Sequence, residues 1–461
     1  MSGELEKQQQ ENKMGVMPVN KLLLNMSVPM MISMLVQALY NIVDSIFVAR
    51  LSEDALTAVS LAFPVQTLMV AVGAGTGVGV NALLSKSLGE KNYETANKTA
   101  VNGIFLAFMS FLLFALIGIV AVKPFYFSQV KDAESDIYKM GIEYLSIVCI
   151  CSFGIYAQFI FERLLQATGK TLYSMFSQLS GAVTNIILDP ILIFGLFGLP
   201  KMGIAGAAIA TVIGQCVGAT VAMMFNLKKN KDITISFKDF RPNGQVIGRI
   251  YRVGVSSIIM QAIGSVMTYC MNLILIQFTS TATAVFGVYF KLQSFFFMPV
   301  LGLNNGMVPI IAYNYGAGKR GRIVKTIKYS MLYAFILMTL GFLAFELIPE
   351  TLLGLFDASQ EMLEIGVRAL RIIGIQFLIA WYCIIASSAF QAVGNGVYSL
   401  VVSVARQLVI LIPAAYILAR IGGLTLVWWA LPLAELMSLC VSTIFLIIIW
   451  KKVIIRVPDN A

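Results

Sequence analysis

Two aspartates lie where a charge is hardest to keep. Asp44 sits toward the end of a long apolar stretch, in Tyr40-Asn41-x-x-Asp44, and Asp189 lies in another, in Asn185-x-x-x-Asp189-Pro190. An ionisable group inside a bilayer-length apolar run is costly, and by default it marks an ion or proton pathway. Asn185 and Asp189 are four residues apart and share a helix face. Pro190 has no N–H to donate, which leaves the carbonyl near Ile186 without its helical partner. A carboxylate, an amide and freed carbonyls make an oxygen-rich site for a small cation, and the same carboxylate can take up and release a proton. Asp44, Asp189, Asn185 and Asn41 are therefore the candidate ion-coupling residues, with Na⁺ or H⁺ as the ion. Pro29 and Pro190 are the candidate points of helix bending.

The remaining buried charges read differently. Of 23 acidic residues, only Asp44, Asp189 and Glu435 fall clearly inside the predicted helices. Glu435 and Arg406 lie at similar depth in the last two helices, and opposite charges so placed suggest a buried structural pair. Lys291 has no obvious acidic partner and either snorkels or lines a cavity. Gln37, Tyr40, Tyr156, Gln178, Gln261 and Gln293 would suit a large adaptable cavity when set among 30 phenylalanines and 23 methionines. Methionine walls tolerate varied ligands, and aromatic faces attract organic cations.

The elements that must position these residues are membrane helices. Hydrophobic residues make up 58% of the 461 and charged residues only 12%, with a mean hydropathy of +0.84. A span needs roughly 20 apolar residues. The pattern predicts an all-α membrane protein of twelve helices, near 22–48, 55–84, 99–122, 138–161, 171–196, 202–227, 248–277, 283–313, 324–347, 361–389, 397–419 and 425–450. Gln166-Ala167-Thr168-Gly169 recurs as Gln391-Ala392-Val393-Gly394, and Thr57-Ala58-Val59 as Thr283-Ala284-Val285. Both echoes lie a little under half the chain length apart, so a six-helix unit has been duplicated. Paired repeats point to alternating access around a central site. The expected division is a cytoplasmic disordered tail at 1–18, one lobe of helices one to six at 19–237, a second of helices seven to twelve at 238–457, and a cytoplasmic end at 458–461.

Placing both termini in the cytoplasm puts most of the 33 lysines and arginines on that side, as the positive-inside rule requires. The net charge of +10 thus reflects topology, not nucleic-acid binding. The chain has no histidine, which excludes Ser-His-Asp chemistry and most zinc sites. Cys149-x-Cys151 lacks metal-ligand spacing, and all six cysteines lie in apolar stretches, as packing residues do. Gly73, Gly75, Gly77 and Gly79 fail the dinucleotide spacing and fall within a predicted helix, where small residues permit close packing. With no nucleotide site, catalytic constellation or bound cofactor, the sequence describes a gradient-driven transporter and not an enzyme.

At these residues the chain resembles the multidrug and toxic compound extrusion (MATE) family nearly end to end. Pro29 with Val43-Asp44-Ser45 and Arg50-Leu51 is similar to the family's first helix. Asn185-Ile-Ile-Leu-Asp189-Pro190 with Phe194-Gly195 resembles its fifth. Met298-Pro299, Gly302, Pro309 and Asn314-Tyr315-Gly316-Ala317-Gly318 resemble its second-repeat signature, as in the bacterial branch of staphylococcal-type exporters. The resemblance implies a V-shaped pair of six-helix bundles in the bacterial plasma membrane, exporting small organic cations in exchange for Na⁺ or H⁺, as a monomer. It associates Asp44, Asp189 and Asn185 with ion coupling and Pro29 with helix bending. Some branches use acids in helices seven and ten, where this chain has Gln261 and Gln376. A lipid-linked precursor flippase of the same superfamily is the alternative, expected to carry a basic cavity for phosphates.

Overall fold

The computed structural model describes residues 11–458 except Asp239, Asp357 and Ala358. The first ten residues of the expected tail, and 459–461 of the expected C-terminal end, lie outside the described residues. All regular structure among the described residues is helical. A short α1 (Lys13–Val16) precedes the first lobe, built from α2 (Val19–Ala49), α3 (Glu53–Gly89), α4 (Tyr93–Val120), α5 (Val122–Val130), α6 (Asp136–Ile150), α7 (Phe153–Ala167), α8 (Thr171–Phe194) and α9 (Ile204–Lys229). The second lobe follows with α10 (Gly244–Leu275), α11 (Ser280–Gly316), α12 (Arg320–Leu347), α13 (Pro349–Gly354), α14 (Gln360–Gly374), α15 (Phe377–Ala392), α16 (Gly396–Val404), a π-helical turn at Ala405–Leu411, α17 (Ile412–Val427) and α18 (Ala430–Ile449).

Ten helices among the described residues are long and apolar enough to cross a bilayer. Two further spans are bent pairs, α6 with α7 at 43° and α14 with α15 at 50°. The expected single helices at 138–161 and 361–389 are therefore broken ones. Both breaks fall at the same place in each repeat, as do the short helices α5 and α13. Local chemistry repeats as well. Ser135 caps α6 by accepting from the Tyr138 N–H at 3.2 Å, and Ser359 caps α14 from Met362 at 3.2 Å, each satisfying an orphan donor of the first turn. Gly169 and Gly394 end α7 and α15 at φ 82° and 84°, a left-handed conformation that glycine adopts without Cβ strain.

The two bundles form a V and meet at the end where α2 begins, here called the near end. There α3 packs on α10 and α2 on α11. Glycine lets the backbones touch: a Cβ on Gly79 would lie 2.1 Å from the Ile250 carbonyl oxygen, and one on Gly302 would lie 2.5 Å from the Met31 backbone. Toward the far end Leu39 and Ile42 of α2 and Tyr269 and Leu273 of α10 are exposed.

Residues 11–18 correct the expectation of a disordered tail. Met14 is fully buried. Its carbonyl accepts from Asn314 Nδ2 at 3.0 Å and Arg322 Nη2 at 2.9 Å, while Asn12 Nδ2 donates to the Thr168 carbonyl at 3.1 Å and Asp232 Oδ1 at 3.0 Å. Polar composition suggested solvent; the polar atoms are instead spent on backbone and side-chain partners in both lobes.

Candidate functional site

Helical spacing sets the first wall of the site. Gln37, Tyr40 and Asp44 follow one another at i, i+3 and i+7 and present one face of α2. The opposing wall is α8, where Gln178, Asn185 and Asp189 line the same side and the helix runs on through Pro190 to Phe194 before Gly195 turns it at φ 75°. Asp189 is fully buried and Asn185 is 3% exposed. The Asp44 and Asp189 carboxyls lie within hydrogen-bond reach of each other. Asn185 Nδ2 donates to Asp189 Oδ1 at 3.3 Å and to Thr211 Oγ1 of α9 at 3.4 Å.

Two facing carboxylates repel unless a proton or a cation lies between them. Asp44 Oδ1, Asp189 Oδ2 and Asn185 Oδ1 are all buried with no protein partner, and each such atom costs free energy until something meets it. Two carboxyls, an amide oxygen and the Thr211 hydroxyl form an oxygen-only donor set. That set suits a hard monovalent cation or a proton rather than a soft metal. Among the described residues no group of three or more His, Cys, Asp or Glu could hold a metal ion.

Beside the pair lies a narrow chamber of about 90 Å³ lined by Gln37, Tyr40, Gln158, Glu162, Gln178 and Asn185. Between the lobes is a larger cavity of about 530 Å³, whose walls include Gln37, Met260, Gln261, Met298, Arg163 and Arg406. A third chamber of about 270 Å³ sits within the second lobe and includes Tyr289, Gln293, Gln376, Arg406 and Glu435. Five of the six residues predicted for a substrate cavity thus line one or another of three distinct chambers. Tyr156 does not. It is 2% exposed, packed against Phe114 with ring centroids 5.8 Å apart, and donates to the Met69 carbonyl at 3.3 Å; it is core of the first lobe. Asn41 is exposed and lines none of the three chambers. Pro29 is buried in α2 beside the Met30–Met31 backbone that meets Gly302. Lys291 is exposed and its Nζ sits 5.8 Å from the Phe356 ring centroid.

Arg406 donates through Nη1 to Glu435 Oε1 at 2.6 Å. It stands in the π-helical turn that precedes Pro413, whose missing N–H cannot close a regular turn.

Sequence reading missed Glu162 and Arg163. The fourth helix was expected to end at 161, whereas α7 continues to Ala167 and carries both inside. Glu162 is 3% exposed and accepts from Gln158 Nε2 at 2.9 Å, Ser177 Oγ at 3.0 Å and Gln178 Nε2 at 2.8 Å. Arg163 donates through Nη1 to Gln166 at 2.9 Å and Asn305 at 3.0 Å. The signal was present: the second repeat has Ser387-Ser388 at the matching distance before Gln391, so only the first copy brings charge to this turn.

Two duplicated six-helix lobes that meet at one end around polar chambers define a two-lobe membrane transporter. A family profile described as MatE matches residues 29–191 and again 256–417, and the chain belongs to that family. Among curated relatives, the multidrug export protein MepA of Staphylococcus aureus (strain MSSA476) is 28% identical over 434 residues, covering 94% of each chain. An outward-facing structure of a multidrug resistance MATE family transporter of the MOP superfamily superposes with a TM-score of 0.89 at 25% identity, covering 96% of this chain and 99% of that one. A MOP superfamily transporter from Pyrococcus furiosus Vc1 (DSM3638), whose binding pocket is described as having reverse polarity suggesting a different function, superposes with a TM-score of 0.87 at 26% identity, covering 95% of this chain and 98% of that one.

Proposed function

We propose that the protein is a secondary active multidrug exporter that moves organic cations out of the cell in antiport with Na⁺ or H⁺. The observation that carries this reading is the Asp44–Asp189 carboxyl pair, with three unpartnered oxygens beside a chamber walled by Tyr40. A proton or Na⁺ settles between the carboxylates with Asn185 and Thr211 completing the oxygens. An organic cation in the adjoining chamber competes for the same negative charge, and the aromatic face of Tyr40 favours it. The ion shifts the lobes only by its differential affinity for the two facing states, so a site spanning α2 and α8 must change shape as the transporter turns. Both termini and the near end are cytoplasmic, the membrane is the bacterial plasma membrane, and the protein works as a monomer without enzymatic activity. The names of the curated relatives support export, and the far-end opening of the V supports an outward-facing state.

The test is ethidium movement in proteoliposomes under an imposed Na⁺ or H⁺ gradient, for the wild type and Asp189→Asn. The expected outcome is transport driven by one gradient and lost in the variant. Gradient-driven transport that survives Asp189→Asn removes the pair from coupling.

A further inference from the structure

The cavity between the lobes has the opposite polarity to the chamber beside the aspartates. Its walls carry two guanidiniums, Arg163 from the first lobe and Arg406 from the second, and no aspartate or glutamate among the residues that line it. The acids are confined within the lobes: Asp44, Asp189 and Glu162 around the first chamber, Glu435 in the second-lobe chamber. A cavity built to hold a cation at the seam would not place two fixed positive charges there.

Neither arginine is closed off by its partners. Arg163 hydrogen-bonds only to neutral amides, those of Gln166 and Asn305. Arg406 makes a single bond to Glu435, end-on through Nη1, of the five N–H groups a guanidinium offers. Its side chain is 28% exposed and lines both the central cavity and the second-lobe chamber. Glu435 is 4% exposed, yet its Oε2 has no partner. A purely structural buried ion pair offsets its desolvation only when the remaining donors and acceptors are satisfied. This pair leaves them open toward a cavity.

We propose that Arg163 and Arg406 form an anion subsite in the central cavity that takes the carboxylate of an amphipathic, zwitterionic substrate. Planar bidentate pairing is the geometry in which guanidinium and carboxylate match. Phe159, Phe297, Met34, Met260 and Met298 supply the apolar walls for the body of the molecule. Gln37, Val70 and Phe159 line both this cavity and the first-lobe chamber, so the two meet there. A zwitterion lies across that junction with its carboxylate on the arginines and its cationic end toward Tyr40 and Glu162. The proposal deepens the export reading and rests on it for the direction of transport, but not for binding.

The experiment compares tetramethylrhodamine, a zwitterion with a free carboxylate, with its methyl ester, the matched cation. Each is titrated calorimetrically into purified protein in lipid nanodiscs with no gradient. The wild type is expected to bind the acid about tenfold more tightly than the ester, and Arg406→Gln to erase that preference while leaving ester affinity unchanged. Because Arg406→Gln strands a buried carboxylate, the double variant Arg406→Gln/Glu435→Gln is measured beside it, with the same loss expected. Asp189→Asn keeps the acid preference, so a failure of ion coupling and a failure of this subsite give different results. Equal affinity of the wild type for acid and ester would overturn the proposal. So would displacement of both dyes by inorganic pyrophosphate, which would make the ligand a phosphate and favour a lipid-linked headgroup.

Discussion

Tyr40 and Tyr156 carry the same side chain into opposite surroundings, and the difference decides what each substitution does. Tyr156 fills the core of the first lobe against Phe114, so Tyr156→Ala leaves a cavity and costs about 3–5 kcal/mol. Its melting temperature in detergent is expected to fall well below that of the wild type. Tyr40 is half-buried at the chamber wall; Tyr40→Ala is expected to keep the wild-type melting temperature and lose dye binding. A wild-type melting temperature for Tyr156→Ala would return that residue to the cavity. The sequence could not separate the two, because burial of a tyrosine depends on which helix face meets a neighbour, and both lie in helices that mix apolar residues with nearby glutamines. Asp44, Asp189 and Asn185 were legible for the opposite reason: a carboxylate in an apolar run stands out whatever packs around it. Glu162 and Arg163 stayed hidden at a helix end. An acid beside a base near a boundary reads as solvated until the last turns of α7 are seen to continue inward.

At the scale of elements, the seam between the lobes is made by backbone contact. A Cβ on Gly79 would meet the Ile250 carbonyl oxygen at 2.1 Å, and one on Gly89 the Tyr313 carbonyl oxygen at 1.9 Å. Neither contact is to a side chain that can swing away, so an added methyl must push α3 from α10 or α11. Gly79→Ala is expected to destabilise by about 1–3 kcal/mol, read as a lower melting temperature. Gly248, on α10 across the seam, has nothing within 4 Å of its would-be Cβ. Gly248→Ala therefore serves as the control and should hold or raise stability, because alanine is the better helix former by about 1 kcal/mol. Equal behaviour of the two variants would mean that the seam does not depend on close approach. The spans themselves were legible from apolar length and the duplication from short echoes. The bends between α6 and α7 and between α14 and α15 were not, because neither break carries a proline, and a lone Ser152 or Gln376 with a single glycine nearby does not interrupt the apolar run enough to mark a kink.

At the scale of the whole molecule, one short segment ties both lobes together at the near end. Asn12 reaches the first lobe at Thr168 and the interlobe linker at Asp232, while the carbonyls of Met14 and Met17 accept from Arg322 of the second lobe at 2.9 and 2.7 Å. Lys319 adds bonds to Glu11 at 2.5 Å and to the Gly15 carbonyl at 3.1 Å. If the near end opens in the proposed transport cycle, one set or the other must break, so the strap favours the state closed there. Each charged hydrogen bond to a carbonyl is worth about 1.5–3 kcal/mol, and a two-state equilibrium moves about tenfold for every 1.4 kcal/mol. Arg322→Ala, which removes two such bonds without touching any chamber, should enrich the form open at the near end. Spin labels at the exposed positions of Lys98 on α4 and Lys325 on α12 report it directly as a longer distance population. An unchanged distance distribution in Arg322→Ala, with Asn12→Ala also unchanged, would leave the glycine seam alone holding the lobes together.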